Sequence, residues 1–177
     1  MKTALKSLKD RRIIILGFMG SGKSTIAREL GRQLNANAVD LDEWIAKHEG
    51  KSPGGIIASD SEASFRAIET ARLSEILRDD SMQVVALGGG AWTLEQNRRL
   101  IANAQGSTIW LDAPFEICWQ RIQGSIEKRP LAPSRAVAER LYTQRQPIYA
   151  MAEMRLAVDA AAKPKDTVRR IIELLSV

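Results

Sequence analysis

Gly17-Phe18-Met19-Gly20-Ser21-Gly22-Lys23-Ser24 fills every specified position of the phosphate-binding pattern G-x-x-x-x-G-K-[ST]. Its neighbours supply the context that the pattern needs. Ile13-Ile14-Ile15-Leu16 before it reads as a buried strand, and residues 25–34 after it read as an amphipathic helix. A loop joining a strand to a helix N-terminus turns several backbone N–H groups toward one point, where a negative charge is favoured. Gly20 and Gly22 let that backbone curl without Cβ clashes, with Ser21 and Thr25 flanking the turn. Lys23 then reaches the β/γ-phosphates, and Ser24 offers a hydroxyl to Mg²⁺. The stretch predicts a nucleoside-triphosphate site. The competing reading is a glycine-rich turn with a surface lysine.

Outward from the loop, short apolar runs alternate with longer helical patterns. Strands are expected at 13–16, 38–41, 83–87, 108–111 and 155–158, and helices at 23–34, 43–48, 61–78, 94–102, 115–122, 134–149 and 166–175. Strands apolar on both faces fit a parallel sheet covered by helices on each side. The expected fold is therefore a single α/β domain over 1–177, a three-layer α/β/α sandwich on a five-stranded parallel sheet. Ser52-Pro53-Gly54-Gly55 reads as a turn. Residues 124–134 hold Gly124, Pro130 and Pro133 beside Glu127, Lys128 and Arg129, and read as an exposed mobile loop. Residues 1–11 read as a flexible basic tail.

Composition narrows the class. A chain of 177 residues, 45% hydrophobic and 27% charged, has the make-up of a soluble globular protein. No apolar run approaches the ~20 residues that span a bilayer, and the basic N-terminal segment lacks the apolar stretch of a secretory signal. Cys118 is the one cysteine, which excludes an internal disulfide and suits a reducing cytoplasm. His48 is the one histidine, which excludes a Cys/His zinc site. Its charged neighbours mark it as a solvated helix position. The net charge of +5 suits anionic ligands, nucleotide phosphates or nucleic acid. The basic terminus has no interleaved aromatics, so small-molecule phosphates are favoured over nucleic acid.

In such a sheet, ligands lie beyond the carboxyl ends of the strands. Asp40-Leu41-Asp42 follows the second strand, and two residues apart on an extended chain point the same way. One carboxylate there can hold Mg²⁺ and the other can take a proton from an attacking hydroxyl, or Asp42 simply caps the following helix. Arg66 and Glu69 share a helix face, giving either an arginine preorganised for a carboxylate or an ordinary surface ion pair. Gly88-Gly89-Gly90 after the third strand leaves room for a ligand against bare backbone. Arg129, in the loop, is placed to neutralise charge in phosphoryl transfer. Arg145 is either a second anion contact or a complement to the helix dipole.

The ordered set GFMGSGKST, DLD, FRxxE, GGGA, RP and RxPxY resembles that of the shikimate kinase family from about Ile13 to the C-terminus. The resemblance implies a P-loop kinase with a nucleoside-monophosphate-kinase-like fold. It implies transfer of the γ-phosphate of ATP to the 3-hydroxyl of shikimate, in chorismate and aromatic amino acid biosynthesis. Position by position, it makes Lys23 the phosphate-loop lysine and Ser24 and Asp40 the Mg²⁺ ligands. Asp42 becomes the residue that binds the acceptor hydroxyls and serves as base. Arg66, Gly88, Gly89, Gly90 and Arg145 form the acceptor site, with both arginines on the carboxylate. Arg129 becomes the lid arginine, and Arg121 and Pro164 flank the adenine. A monomer acting on ATP and shikimate, without nucleic-acid or membrane partners, is expected.

The chain departs from the family pattern at four places. Ala86-Leu87 stands where a hydroxyl residue often precedes the glycines, and Pro53-Gly54-Gly55 replaces a stretch that usually looks helical. Ala132 follows Leu131 where a second leucine is usual, and Trp92 replaces a smaller aliphatic. No charged group of the mechanism is lost. A kinase for another small hydroxylated acid and a non-catalytic nucleotide-binding domain are the alternatives.

Overall fold

A computed structural model describes residues 11–128 and 130–176. The expected basic tail thus falls outside it save for Arg11, which donates to the Leu175 carbonyl at 3.4 Å. Among the described residues, five strands form one parallel sheet: β1 (Ile13–Leu16), β2 (Asn37–Asp40), β3 (Met82–Ala86), β4 (Ser107–Asp112) and β5 (Met154–Ala157). Their order is β2-β3-β1-β4-β5, so the strand feeding the phosphate loop lies in the centre.

Eight α-helices connect them: α1 (Lys23–Leu34), α2 (Leu41–Glu49), α3 (Pro53–Ser59), α4 (Glu62–Arg78), α5 (Glu95–Asn103), α6 (Phe115–Ile122), α7 (Arg135–Tyr149) and α8 (Pro164–Leu175). Alternation along β1 decides the layers. Ile13 and Ile15 pack with Ile26 and Leu30 of α1 and Val168 and Ile171 of α8. Ile14 and Leu16 face the other way, against Leu41, Phe65, Leu73 and Cys118. All four β1 side chains are buried, each worth about 1.5–3 kcal/mol of apolar burial. The three-layer architecture expected from the sequence is the one observed.

Two readings of local structure are corrected. Pro53-Gly54-Gly55 opens a helix rather than making a turn, because Ser52 caps it by accepting from the Gly55 N–H at 3.1 Å and Pro53 sits in its first turn. A cap and a tolerated proline outweigh the poor helix propensity of two glycines, and Ile56 anchors the helix in the core. The expected loop over 124–134 is not exposed throughout. Gln123–Lys128 forms a 3₁₀ segment kinked at Ser125, and Ala132 is fully buried. Arg129 lies outside the described residues.

Candidate active site

The phosphate loop leaves β1 at Leu16 and enters α1 at Lys23. Gly22 occupies the N-cap with φ of 99°, a left-handed conformation in which a side chain is strained. Among the described residues no side chain caps α1, and no acidic residue lies in its first turn. Its N-terminus therefore keeps its unpaired N–H groups and positive dipole end for an outside anion. Ser21 adds a buried hydroxyl without a partner among the described residues. Lys23, 8% exposed, folds over the loop and donates to the Phe18 carbonyl at 3.0 Å.

The donor side meets a cavity of about 190 Å³. Gly20, Lys23, Ser24, Asp40, Asp42, Arg66, Gly89, Gly90 and Arg145 all line it, so residues spread over five elements converge there. Ser24 Oγ donates to Asp40 Oδ2 at the loop end of this cavity. A hydroxyl beside a carboxylate is a hard-oxygen donor pair, the chemistry suited to Mg²⁺ carried in with phosphate oxygens.

Asp40 and Asp42 divide their roles in a way the sequence did not resolve. β2 stops at Asp40, whose Oδ1 accepts from the Glu43 N–H at 3.1 Å and caps α2. The helix begins at Leu41 rather than at 43, so the two acids are not consecutive positions of one strand. Asp40 is the cap, and Asp42, in the first helical turn, lines the cavity. Its carboxylate lies so near Gly88 that a Cβ there would sit 2.6 Å from Asp42 Oδ1 and 2.9 Å from Glu69 Oε1.

The arginine pair is also settled by burial. Arg66 Nη1 meets Glu69 Oε2 at 2.6 Å with the Glu69 side chain 1% exposed, so this is a buried pair and not a surface one. Arg66 Nη2 also reaches Glu62 at 3.2 Å. The guanidinium lies flat against Gly90, where any Cβ would collide with it. Arg145 does not serve the end of its own helix. It reaches across to the Gly89 carbonyl, donating from Nη1 at 3.0 Å. Burial is the main influence on Glu69 and pushes its carboxyl up to about 7. Arg66 opposes the shift, while Asp42 adds to it.

Other expected positions lie at the margins. Arg121 donates to the Gly20 carbonyl at 3.0 Å and lies over Gly22. Pro164 borders a separate surface depression with Thr25, Arg28 and Lys163 on the flank of α1. Sequence reasoning named Glu69 only as a support for Arg66 and gave no site role to Phe65 or Ile57, which also line the cavity. The FRxxE spacing carried a signal for Glu69, whereas Ile57 was hidden by the mistaken turn at Pro53. Cys118 is a buried thiol pushed up to about 11 by burial, as its apolar setting suggested. His48 is solvent-exposed beside Trp44. No helix among the described residues is long and apolar enough to cross a membrane.

A central strand, phosphate loop and capless helix opening onto a cavity with two inward arginines define a P-loop small-molecule kinase. The family model for shikimate kinase matches residues 19–176, and the chain belongs to that family. It is 39% identical over 176 residues to the shikimate kinase of Synechococcus elongatus, covering 98% of this chain and 89% of the relative. It is 35% identical over 162 residues to that of Persephonella marina, covering 92% and 97%. The shikimate kinase from Acinetobacter baumannii, solved in complex with shikimate, superposes with a TM-score of 0.88 at 28% identity, covering 97% and 96%. A gluconokinase from Sinorhizobium meliloti, at 18% identity and TM-score 0.57, shares the fold alone. The activity is accordingly that of a shikimate kinase, with ATP as phosphoryl donor, in aromatic amino acid biosynthesis.

Proposed function

We propose that the cavity is the meeting point of the two substrates and that its residues divide between them. The phosphates of ATP rest on the N–H groups of Gly20, Gly22 and Thr25 and on the unpartnered Ser21 hydroxyl, with Lys23 on the β/γ-oxygens. Ser24 and Asp40 hold Mg²⁺, which when bound neutralises phosphate charge and orients the transferring group. Arg121 and Pro164 flank the adenine, and Arg129 comes to the phosphates from the loop, as the family resemblance implies.

Shikimate places its carboxylate on Arg66 and Arg145 and its ring hydroxyls near Asp42, with Gly88, Gly89 and Gly90 forming the floor. Asp42 orients the 3-hydroxyl and takes its proton as that oxygen attacks the γ-phosphoryl group in line. Most of the acceleration then comes from positioning and fixed charge. The observation that carries this reading is the convergence of Lys23, Asp42, Arg66 and Arg145 on one cavity. An acceptor without a carboxylate would gain no ion pair from the two arginines, which sets the reading apart from a sugar kinase.

A coupled ADP-release assay with shikimate, gluconate and nucleoside monophosphates, each against a no-acceptor control, tests it. Shikimate-dependent ADP release alone is the expected result, and equal or greater turnover on gluconate would overturn it. Strong ATP binding without turnover on any acceptor would point instead to a non-catalytic nucleotide-binding domain. The same proposal includes a monomer in the cytoplasm without nucleic-acid partners. Sedimentation equilibrium and a gel shift at physiological salt test the monomer and the absence of nucleic-acid binding.

A further inference from the structure

Tyr149 is a fully buried tyrosine at the end of α7 that the mechanism above does not use. Its ring packs in the core, 6.1 Å from that of Trp110. Burial pushes its hydroxyl up to about 12, so it is a neutral O–H donor throughout the working pH range. That hydroxyl donates to the Gly89 carbonyl. Arg145, one helical turn earlier, donates to the same oxygen at 3.0 Å. One backbone carbonyl is thus the shared anchor of a core hydroxyl and a cavity-lining arginine.

Two consequences follow from elementary geometry. A carbonyl oxygen has two lone pairs, so two donors fix both the carbonyl direction and the position of each donor relative to the other. Arg145 Nη1 is held beside Gly89, and its side chain also meets the Tyr149 hydroxyl, so the guanidinium is fixed at both while it lines the cavity. No cis peptide bond occurs among the described residues, so the Gly90 N–H points opposite to the Gly89 carbonyl. That N–H makes no backbone–backbone hydrogen bond among the described residues. Anchoring the carbonyl therefore also aims a donor of a cavity-lining residue. Glycine resists such fixing more than any other residue, so an external hydrogen bond has most to do here.

We propose that the Tyr149 hydroxyl is a positioning residue for acceptor binding. Through the Gly89 carbonyl it holds both the Arg145 fork and the Gly89–Gly90 peptide in the conformation that receives the acceptor carboxylate. It touches neither substrate. The proposal rests on the two-substrate reading given above.

The experiment compares the wild-type chain with Tyr149→Phe, which keeps the ring and removes the hydroxyl. A third protein carries p-aminophenylalanine at 149, restoring a weaker para donor. KM for shikimate is expected to rise roughly 3- to 10-fold in Tyr149→Phe, the scale of one net hydrogen bond, and to recover part of the way in the amino variant. KM for ATP should stay within about twofold, since the Gly89 carbonyl is bonded by Tyr149 and Arg145 and not by the phosphate loop, whose Met19 backbone Gly89 meets only in packing. An acceptor analogue with the carboxylate reduced to an alcohol should show no added loss, because it does not use the Arg145 fork.

Trp92→Phe serves as a packing control. Trp92 donates to the Ile148 carbonyl at 2.9 Å and so braces the same helix end by a bond that does not go through the Gly89 carbonyl. It should lower Tm without separating the two KM values. Parallel rises for shikimate and ATP in Tyr149→Phe, or an equal loss with the alcohol analogue, would overturn the proposal. So would an amino variant no better than Phe. If Tyr149→Phe does not fold, the amino variant against wild type decides the matter by the same split. Failure of wild-type turnover on shikimate would instead overturn the functional reading itself.

Discussion

Glu69 and Arg66 meet at 2.6 Å on α4, yet burial still pushes the Glu69 carboxyl from 4.5 up to about 7. Below pH 4.5 the folded and unfolded chains both carry this proton. Between 4.5 and about 7 the unfolded chain sheds it while the folded chain keeps it. The contribution of Glu69 to stability therefore falls as pH rises through that window and is level above it. Binding shares the linkage. An acceptor carboxylate arriving at Arg66 raises Glu69 further, so it binds best when Glu69 is protonated. KM for shikimate should climb between pH 6 and 8, by up to about tenfold for each unit by which binding shifts the group. Glu69→Gln should flatten that climb, and an unchanged pH profile in the variant would remove Glu69 from acceptor binding.

Arg66→Ala tests the carboxylate grip. Losing one partner of a desolvated charge pair costs about 2–5 kcal/mol, so KM for shikimate should rise at least ~30-fold with little change for ATP. Glu69 would lose its buried partner, so Tm should also fall. Arg66→Ala/Glu69→Gln removes that buried charge and should recover Tm without recovering KM. Recovery of both together would make the pair structural. Equal weakening for shikimate and ATP in the single variant would contradict the acceptor role of Arg66.

The elements that were legible in the sequence were those with a complete local signal. Residues 23–34 and 115–122 were bounded as observed, because apolar periodicity and chain punctuation agree there. The final helix begins at Pro164 rather than at 166, since proline suits a first turn. The failures came where two residues of one type competed for one task. Asp40 and Asp42 are carboxylates two residues apart at the start of α2, and it is Asp40 that accepts from both the Glu43 N–H as cap and the Ser24 hydroxyl of another element. The buried state of Glu69 was likewise invisible. It depends on the glycine turn after β3 lying against α4, a contact between segments about 20 residues apart.

That division between the two aspartates can be measured. Asp42→Asn leaves the α2 cap intact, so Tm should change little while kcat drops by at least ~100-fold, the usual scale for a lost general base. Asp40→Ala removes a cap and should cost about 1 kcal/mol of stability. It should also raise the Mg²⁺ concentration needed for half-maximal rate. Near-normal turnover in Asp42→Asn would remove the proposed base. A stability loss larger in Asp42→Asn than in Asp40→Ala would reverse the assignment of the cap.

Gly90→Ala examines the turn from the opposite side. Its φ of −109° is open to any residue, so alanine brings no backbone strain. What it brings is a methyl in the space of the Arg66 guanidinium, with the Arg66 Cζ 2.8 Å from the new Cβ. The flexible arginine has to yield, because Ala91 and Trp92 behind the turn are buried. The shift pulls the fork off its alignment with Arg145 while leaving every charge in place. KM for shikimate should therefore rise by ~10-fold or more with ATP binding preserved, since misplacement of about 1 Å can cost on the order of 100-fold. Gly124→Ala, which meets nothing within 4 Å, gives the matched control and should leave KM for shikimate unchanged. A Gly90→Ala enzyme with wild-type KM for shikimate would show that Arg66 grips its ligand from another rotamer, and that the bare turn is not what sets the carboxylate site.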